Sequence, residues 1–455
     1  YARIDSISYE ASKIAIPNEY DKLMAAIGAD GTNAYTSYDQ TVYEEDIPAN
    51  QVENWLKIEA DRFQNCVVRG FHTELETIYE EKNMSLTKDS RKVTESMLNS
   101  LFPNHPYGTQ TVLGTQEHLK NPSITNVKNY HKTYYVPNNM AICMSGDLNP
   151  DKTIRLIDKY FGGMQPNPEL PVLEYEKEAE ITQPVVREVY GLESEYVSLG
   201  WRLDGASSSD NDMMTLVNGI LYNGKAGLID LDINQKQKAL NAYAYDWGLA
   251  DYGMLMMGGD PKQGQSLDEV RDLLLAEVAK LRAGDFDEQL LKAVVDNYKL
   301  SVMQYLDSNE GRADLYVNTF VNGIDWKNQV TLLDRLSGIT KQDVVDFANA
   351  KLRDDNYAIV YKRQGADPNV QKIAKPEITP IVTNRDAVSD LLTEITNTEV
   401  EPIEPVFLDF DRDMSRFTAE SDIPVLYKRN ETTDLFTLTY LYEFGTNNDP
   451  IINIA

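Results

Sequence analysis

The chain has 455 residues, 72 of them acidic against 43 basic, for a formal charge of −29. Roughly two to four domains are expected from that length. No stretch approaches the ~18 consecutive apolar residues of a membrane span, and no Lys/Arg cluster interrupts the acidic background, so no membrane span and no nucleic-acid partner are expected.

Residues 1–32 contain no histidine, and Tyr1, Arg3 and Asp5 give neither the basic start nor the apolar run of a signal peptide. The run GTNAYTSYDQTVYEEDIP at 31–48 is rich in Thr and Tyr and polar on both faces. On its residues alone it reads as an ordinary hairpin strand. From Val52, the residues Leu56, Phe63 and Val67 recur at helical spacing with Trp55 beside them.

The next segment, HTELETIYEEKNMSLTK at 72–88, places Leu75, Ile78, Tyr79, Lys82 and Leu86 on one helical face. Glu76 and Glu80 fall on the opposite, solvated side. Glu74 and Glu81 stand two turns apart at the border of the apolar face, within roughly 20° of each other. Two stacked carboxylates could form a cation site, or simply reach into water from an acidic helix. Spacing by itself favours water. The four histidines, His72, His105, His118 and His131, include no pair four apart, so no helix offers two imidazoles to a metal, and each reads as a surface or cap residue. Cys66 and Cys143 are too few for a disulfide framework and read as buried thiols.

Strands are expected at Met140–Met144, Val197–Leu203, Ala358–Tyr361 and Leu435–Phe444. Ser266 and Glu269 form a capping-box pair ahead of Leu267, Val270, Leu274, Val278 and Leu281, with Gly284 as the stop. Asp287 opens another helix. Long helices mixed with strands imply an α+β fold of helices packed on mainly antiparallel sheets. The sequence also repeats itself. Ile124–Ile142 (ITNVKNYHKTYYVPNNMAI) and Ile339–Ile359 (ITKQDVVDFANAKLRDDNYAI) each read as a capped helix, a polar turn ending in Asn139 or Asn356, and a strand. VSLGWRLDGASSSDNDMM from Val197 is echoed by FTLTYLYEFGTNNDPII from Phe436. Two such pairs at domain-sized separation indicate duplicated domains. Between them, residues 365–405 carry Pro368, Pro376, Pro380, Pro402 and Pro405 and read as a linker, with one short helix around Ala387–Ile395.

The stretches at 31–48, 50–66 and 74–83, together with YYVPNNMAICMSGDLNP at 134–150, resemble the first domain of the insulinase/pitrilysin family of zinc metallopeptidases. The resemblance in arrangement implies a first domain at 1–165, a second, homologous one at 185–363, a linker at 364–405 and the beginning of a third domain at 406–455. It further implies a zinc endopeptidase that encloses peptides between two halves of a clamshell, the partners being peptide substrates and the C-terminal half of the same protein.

In that family, two histidines and a glutamate of an inverted H-x-x-E-H helix act with a later glutamate. By helix register the later zinc ligand corresponds to Glu81, and a supporting carboxylate one heptad earlier to Glu74. The family's substrate adds as a strand to an edge that corresponds to Asn33, Ala34 and Tyr35, and a two-faced polar strand suits such an edge. The H-x-x-E-H helix should precede Asn33, yet no histidine does. The chain is therefore expected to be an inactive fragment, without bound zinc, of an active peptidase. The alternative is a non-catalytic homologue that binds peptide or scaffolds an active partner. Bacterial periplasm or cell envelope is the compartment that would suit such a peptidase.

Overall fold

A computed structural model describes residues 2–16, 19–115, 118–119, 123–367, 378–384, 386–420 and 422–449, without the side chains of residues 72, 73 and 76. The chain is α+β. Strands β1 (Asp30–Thr36) and β2 (Thr41–Asp46) form an antiparallel hairpin. A five-stranded sheet follows, built from β3 (Val185–Gly191), β4 (Tyr196–Asp204), β5 (Asn241–Gly248), β6 (Tyr252–Asp260) and β7 (Tyr357–Gln364) in the order β3-β7-β4-β6-β5. Among the described residues only the β3–β7 ladder is parallel. A small hairpin of β8 (Ser415–Thr418) and β9 (Pro424–Tyr427) lies near the C-terminus.

Both faces of the central strands β4, β6 and β7 are buried, whereas the edge strand β3 is largely exposed. Val197, Leu199, Trp201 and Leu203 of β4 alternate onto one face, joined by Leu255, Met257 and Ile359. Helices Ser209–Leu221, Leu267–Ala283, Glu288–Tyr305 and Lys341–Lys351 cover that face. Each large apolar side chain fully buried there contributes about 1.5–3 kcal/mol. Met254, Met256, Ala358 and Val360 point to the other face and meet Val93, Met97, Leu98 and Leu101 of helix Asp89–Leu101. That helix comes from the first 165 residues, so the two parts of the chain share a core. Gly200 permits the close approach: a Cβ there would stand 2.8 Å from the Met97 sulfur.

The expected helix signals operate. Ser266 and Glu269 cap each other reciprocally at the start of Leu267–Ala283, and Gly284 ends it. Asp287 caps Glu288–Tyr305 through the Gln289 amide. The two members of the Asn repeat also behave alike. Asn139 Nδ2 donates to the Tyr134 carbonyl at 3.0 Å, and Asn356 Nδ2 to the Lys351 carbonyl at 2.8 Å, each closing the helix five residues earlier.

Several expectations differ from the structure. Val197–Leu203 and Ala358–Tyr361 lie in β4 and β7, but Met140–Met144 is not in a ladder. Met140 itself is extended, with φ −128° and ψ 151°. Its counterpart β7 lies between β3 and β4, whereas no strand flanks 140–144 among the described residues. Leu435–Phe444 carries no strand either. Val67 is exposed because helix Val52–Gln64 ends before it. The short linker helix is Asp390–Asn397, capped by Ser389. Leu392 and Ile395 pack on Leu23, Met24, Ile27 and Ile58, so this end of the linker is fastened to the first part of the chain. Among the described residues no helix is long and apolar enough to cross a membrane.

Candidate functional site

Every residue of β1 is exposed, and the strand pairs on one side only among the described residues. Asn33, Ala34 and Tyr35 stand opposite Glu44, Tyr43 and Val42. Asn33 Nδ2 donates to Glu44 Oε1 at 3.2 Å, and the hydroxyls of Thr36 and Thr41 meet at 3.3 Å. One extra residue sits in β1 between Asp30 and Asn33, where Gly31 adopts φ 61°, so a bulge twists the start of the strand. The far edge of β1 thus offers backbone donors and acceptors to an extended chain. Burial raises the Tyr35 phenol above its ordinary value, with the Asp314 and Glu44 carboxylates acting in the same direction.

Aromatic and ionic contacts fix the hairpin from behind. Tyr43 of β2 stands edge-on to Phe63, and its hydroxyl lies 3.3 Å from that of Tyr135, which stacks on His131. Arg62 lies over the Tyr20, Tyr43 and Phe63 rings while pairing with the buried Glu59. Burial raises the Glu59 carboxyl, and Arg62 opposes the rise. Glu45 of β2 accepts from Tyr20 Oη at 2.5 Å and Trp55 Nε1 at 3.3 Å. An open cavity of about 870 Å³ lies alongside, lined by Phe63, Cys66, His131, Tyr135 and Met164 among others. Burial lowers the His131 imidazole below its ordinary value.

The turn of the hairpin is held from outside it. Asp39 accepts from the Tyr107 hydroxyl and from the Ala250 amide, and Tyr38 packs against the rings of Tyr107 and Trp247. His105 is no surface residue: it is 1% exposed and ringed by Phe102, Tyr107, Tyr175 and Tyr252. The Pro-rich turn around it is closed by Glu178, whose Oε1 accepts the amides of Asn104 and His105, both at 2.7 Å. No signal in the local sequence marks these contacts, because the partners are distant in the chain.

Helix Phe71–Leu86 carries the two border glutamates. Leu75, Tyr79 and Lys82 are buried on its expected inner face, and burial pushes the Lys82 ammonium down. Glu74, Glu80 and Glu81 are exposed, while the Glu76 and His72 side chains lie outside the described residues. No hydrogen bond or ion pair among the described residues joins Glu74 or Glu81 to Asn33, Ala34 or Tyr35. Cys66 and Cys143 are free thiols and only half-buried. Zinc needs three protein ligands as a rule, and no three His, Cys, Asp or Glu side chains among the described residues stand close enough to hold a metal. The described donors therefore do not by themselves fit a zinc site.

Residues 5–115 match the family described as Insulinase (Peptidase family M16), and residues 123–298 match Peptidase M16 inactive domain. The Helicobacter pylori zinc protease PqqE is 22% identical over 368 residues, covering 79% of this chain and 82% of the relative. The crystal structure of a protease from Helicobacter pylori superposes with TM-score 0.71 at 21% identity, over 77% of this chain and 87% of that one. The periplasmic protease PqqL from Escherichia coli superposes with TM-score 0.61 at 14% identity, over 91% of this chain but 49% of its own.

Proposed function

Because this chain belongs to the insulinase family, peptidase family M16, we propose that it is the peptide-capturing half of a zinc metalloendopeptidase. The observation that carries this reading is β1, exposed along its length and paired on one side only among the described residues. An extended peptide would add there as a further strand, its backbone bonded to Asn33, Ala34 and Tyr35. Strand addition of this kind draws affinity from the main chain and so accepts many sequences.

Glu81 offers one carboxylate to zinc in this reading, and Glu74, two turns earlier, supports it. Zinc in such an enzyme would polarise the scissile carbonyl and activate water. The described donors do not complete its ligand set, so the contribution of this chain is capture and one carboxylate. The partners are peptide substrates and the remaining C-terminal half of the same protein. Escherichia coli PqqL, of which this chain covers about half, supports that second partner, whereas the two Helicobacter pylori proteins are covered at 82% and 87%. The periplasmic setting of PqqL supports the cell envelope as the compartment.

A second reading is a non-catalytic homologue that binds peptide for, or scaffolds, an active partner. The match of residues 123–298 to an inactive domain favours it. Peptide binding in either reading needs the β1 edge.

The test compares a fluorescein-labelled, unstructured 12-residue peptide with the same peptide N-methylated at alternate residues. N-methylation removes one edge of backbone donors. A tenfold or greater loss of affinity in the orientation that faces β1 is expected. Equal binding of the plain peptide and both N-methylated registers would exclude strand addition.

A further inference from the structure

The turn at residues 37–40 is the hairpin's attachment to the five-stranded sheet. Its carboxylate, Asp39, accepts the Tyr107 hydroxyl at 2.8 Å to Oδ1 and 2.9 Å to Oδ2. The Ala250 amide, from the turn between β5 and β6, donates to Asp39 Oδ2 at 3.2 Å. The neighbouring Asp251 amide donates to the Tyr107 hydroxyl at 3.1 Å. One phenol thus bridges two turns that belong to different sheets.

Tyr107 is itself held rigidly. It is 2% exposed, and its ring stands edge-on to Phe102, His105 and Tyr38. Its backbone amide donates to His105 Nδ1 at 3.2 Å, which leaves Nε2 as the protonated nitrogen facing Asp251 Oδ2 at 3.1 Å. The phenol therefore has one place to be, and Asp39 must come to it.

We propose that Asp39 and Tyr107 are positioning residues for peptide capture: their contact sets the angle at which the β1–β2 hairpin leaves the five-stranded sheet, and so where the open edge of β1 points. Neither residue touches the peptide. Both act through β1, so the inference rests on the strand-addition reading above. Backbone hydrogen bonds weaken steeply with misalignment, which makes a bound strand sensitive to the hairpin's angle.

Tyr107→Phe keeps the ring and removes only the hydroxyl. Asp39→Asn keeps an acceptor for the phenol and the amide, and Asp39→Ala removes it from an exposed turn. Affinity for the labelled 12-residue peptide is measured for each, beside the thermal midpoint. Tyr107→Phe and Asp39→Ala are expected to bind five- to tenfold more weakly, Asp39→Asn within twofold of the parent, with midpoints lowered by no more than about 4 °C. A purely structural role would move the midpoint and leave affinity alone. Should Tyr107→Phe unfold, Asp39→Ala decides. Parent-like affinity in Asp39→Ala overturns the inference. The N-methylated peptide separates the two failures: if it binds as well as the plain one, strand addition falls and positioning with it. If it binds more weakly while Asp39→Ala binds normally, positioning alone falls.

Discussion

Lys362 Nζ lies 2.8 Å from Asp89 Oδ2, with 0% of the lysine side chain and 3% of the aspartate exposed. The pair fastens helix Asp89–Leu101 to the edge of the sheet formed by β3 and β7. Its remaining capacity is used: Lys362 donates to the carbonyls of Gly191, Glu193 and Ser194, and Asp89 accepts the Glu193 amide at 2.8 Å. Removing one member strands the other in the interior. Lys362→Met is expected to cost about 3 kcal/mol or more in urea denaturation. A loss under about 1 kcal/mol would show that water reaches the site.

The same pair makes stability depend on pH. The Lys362 ammonium and the Glu193 amide outweigh desolvation and hold the Asp89 carboxyl below its ordinary value of 3.8. A depressed folded value means a contribution that is complete above the unfolded value and lost as pH falls through the folded one. Midpoints measured from pH 5 to pH 2 should therefore fall more in the parent than in Asp89→Asn. Parallel curves would contradict this.

His131 stacks on Tyr135 at 4.5 Å beside the cavity behind the hairpin. Burial lowers its ordinary value of 6.5, so its imidazole should be neutral at pH 7. Titration followed by NMR should place the His131 midpoint below that ordinary value. A midpoint above 6.5 would point to a carboxylate that the geometry does not show.

The paired asparagines offer a test of the repeat. Asn139→Ala removes one helix-closing bond and is expected to cost about 1 kcal/mol. Asn356→Ala removes the matching bond and also the acceptor of the Arg353 amide at 2.9 Å, so its cost should be the larger of the two. A negligible effect at Asn356 would not fit equivalent places in two related units.

Much of this was legible in the sequence where the signal is local. The capping box at Ser266, the stop at Gly284 and the inner face of the helix carrying Leu75 and Tyr79 depend on residues three or four apart. The repeated Asn, bonded five residues back, is nearly as local. Strand formation at Met140–Met144 was not decidable from its apolar residues, because a ladder needs neighbours that lie elsewhere in the chain. Nothing local marks Lys362, and only its distant partner Asp89 explains its burial. The Tyr107–Asp39 contact spans 68 residues and could not be read at all. For the same reason Asn33, Ala34, Tyr35, Glu74 and Glu81 could be assigned roles by resemblance but not assembled into a site.

Zinc separates the readings of Glu81. The 455-residue chain, gel-filtered after zinc addition, is expected to retain no stoichiometric metal, because the described donors make no group of three. In the protein supplying the remaining ligands, Glu81→Gln should lower zinc content and peptide turnover at least tenfold, while Glu80→Gln should not. One zinc per 455-residue chain would overturn the ligand count. Equal turnover in both variants would remove Glu81 from the site.

The central claim is that β1 takes a peptide as an added strand, and amide hydrogen exchange in residues 30–36 measures it most directly. With saturating peptide, β1 amides should exchange at least tenfold more slowly than without it, while those of β5, an antiparallel edge strand of the five-stranded sheet, stay unchanged. Peptide that binds and leaves exchange in β1 as it was would contradict the account.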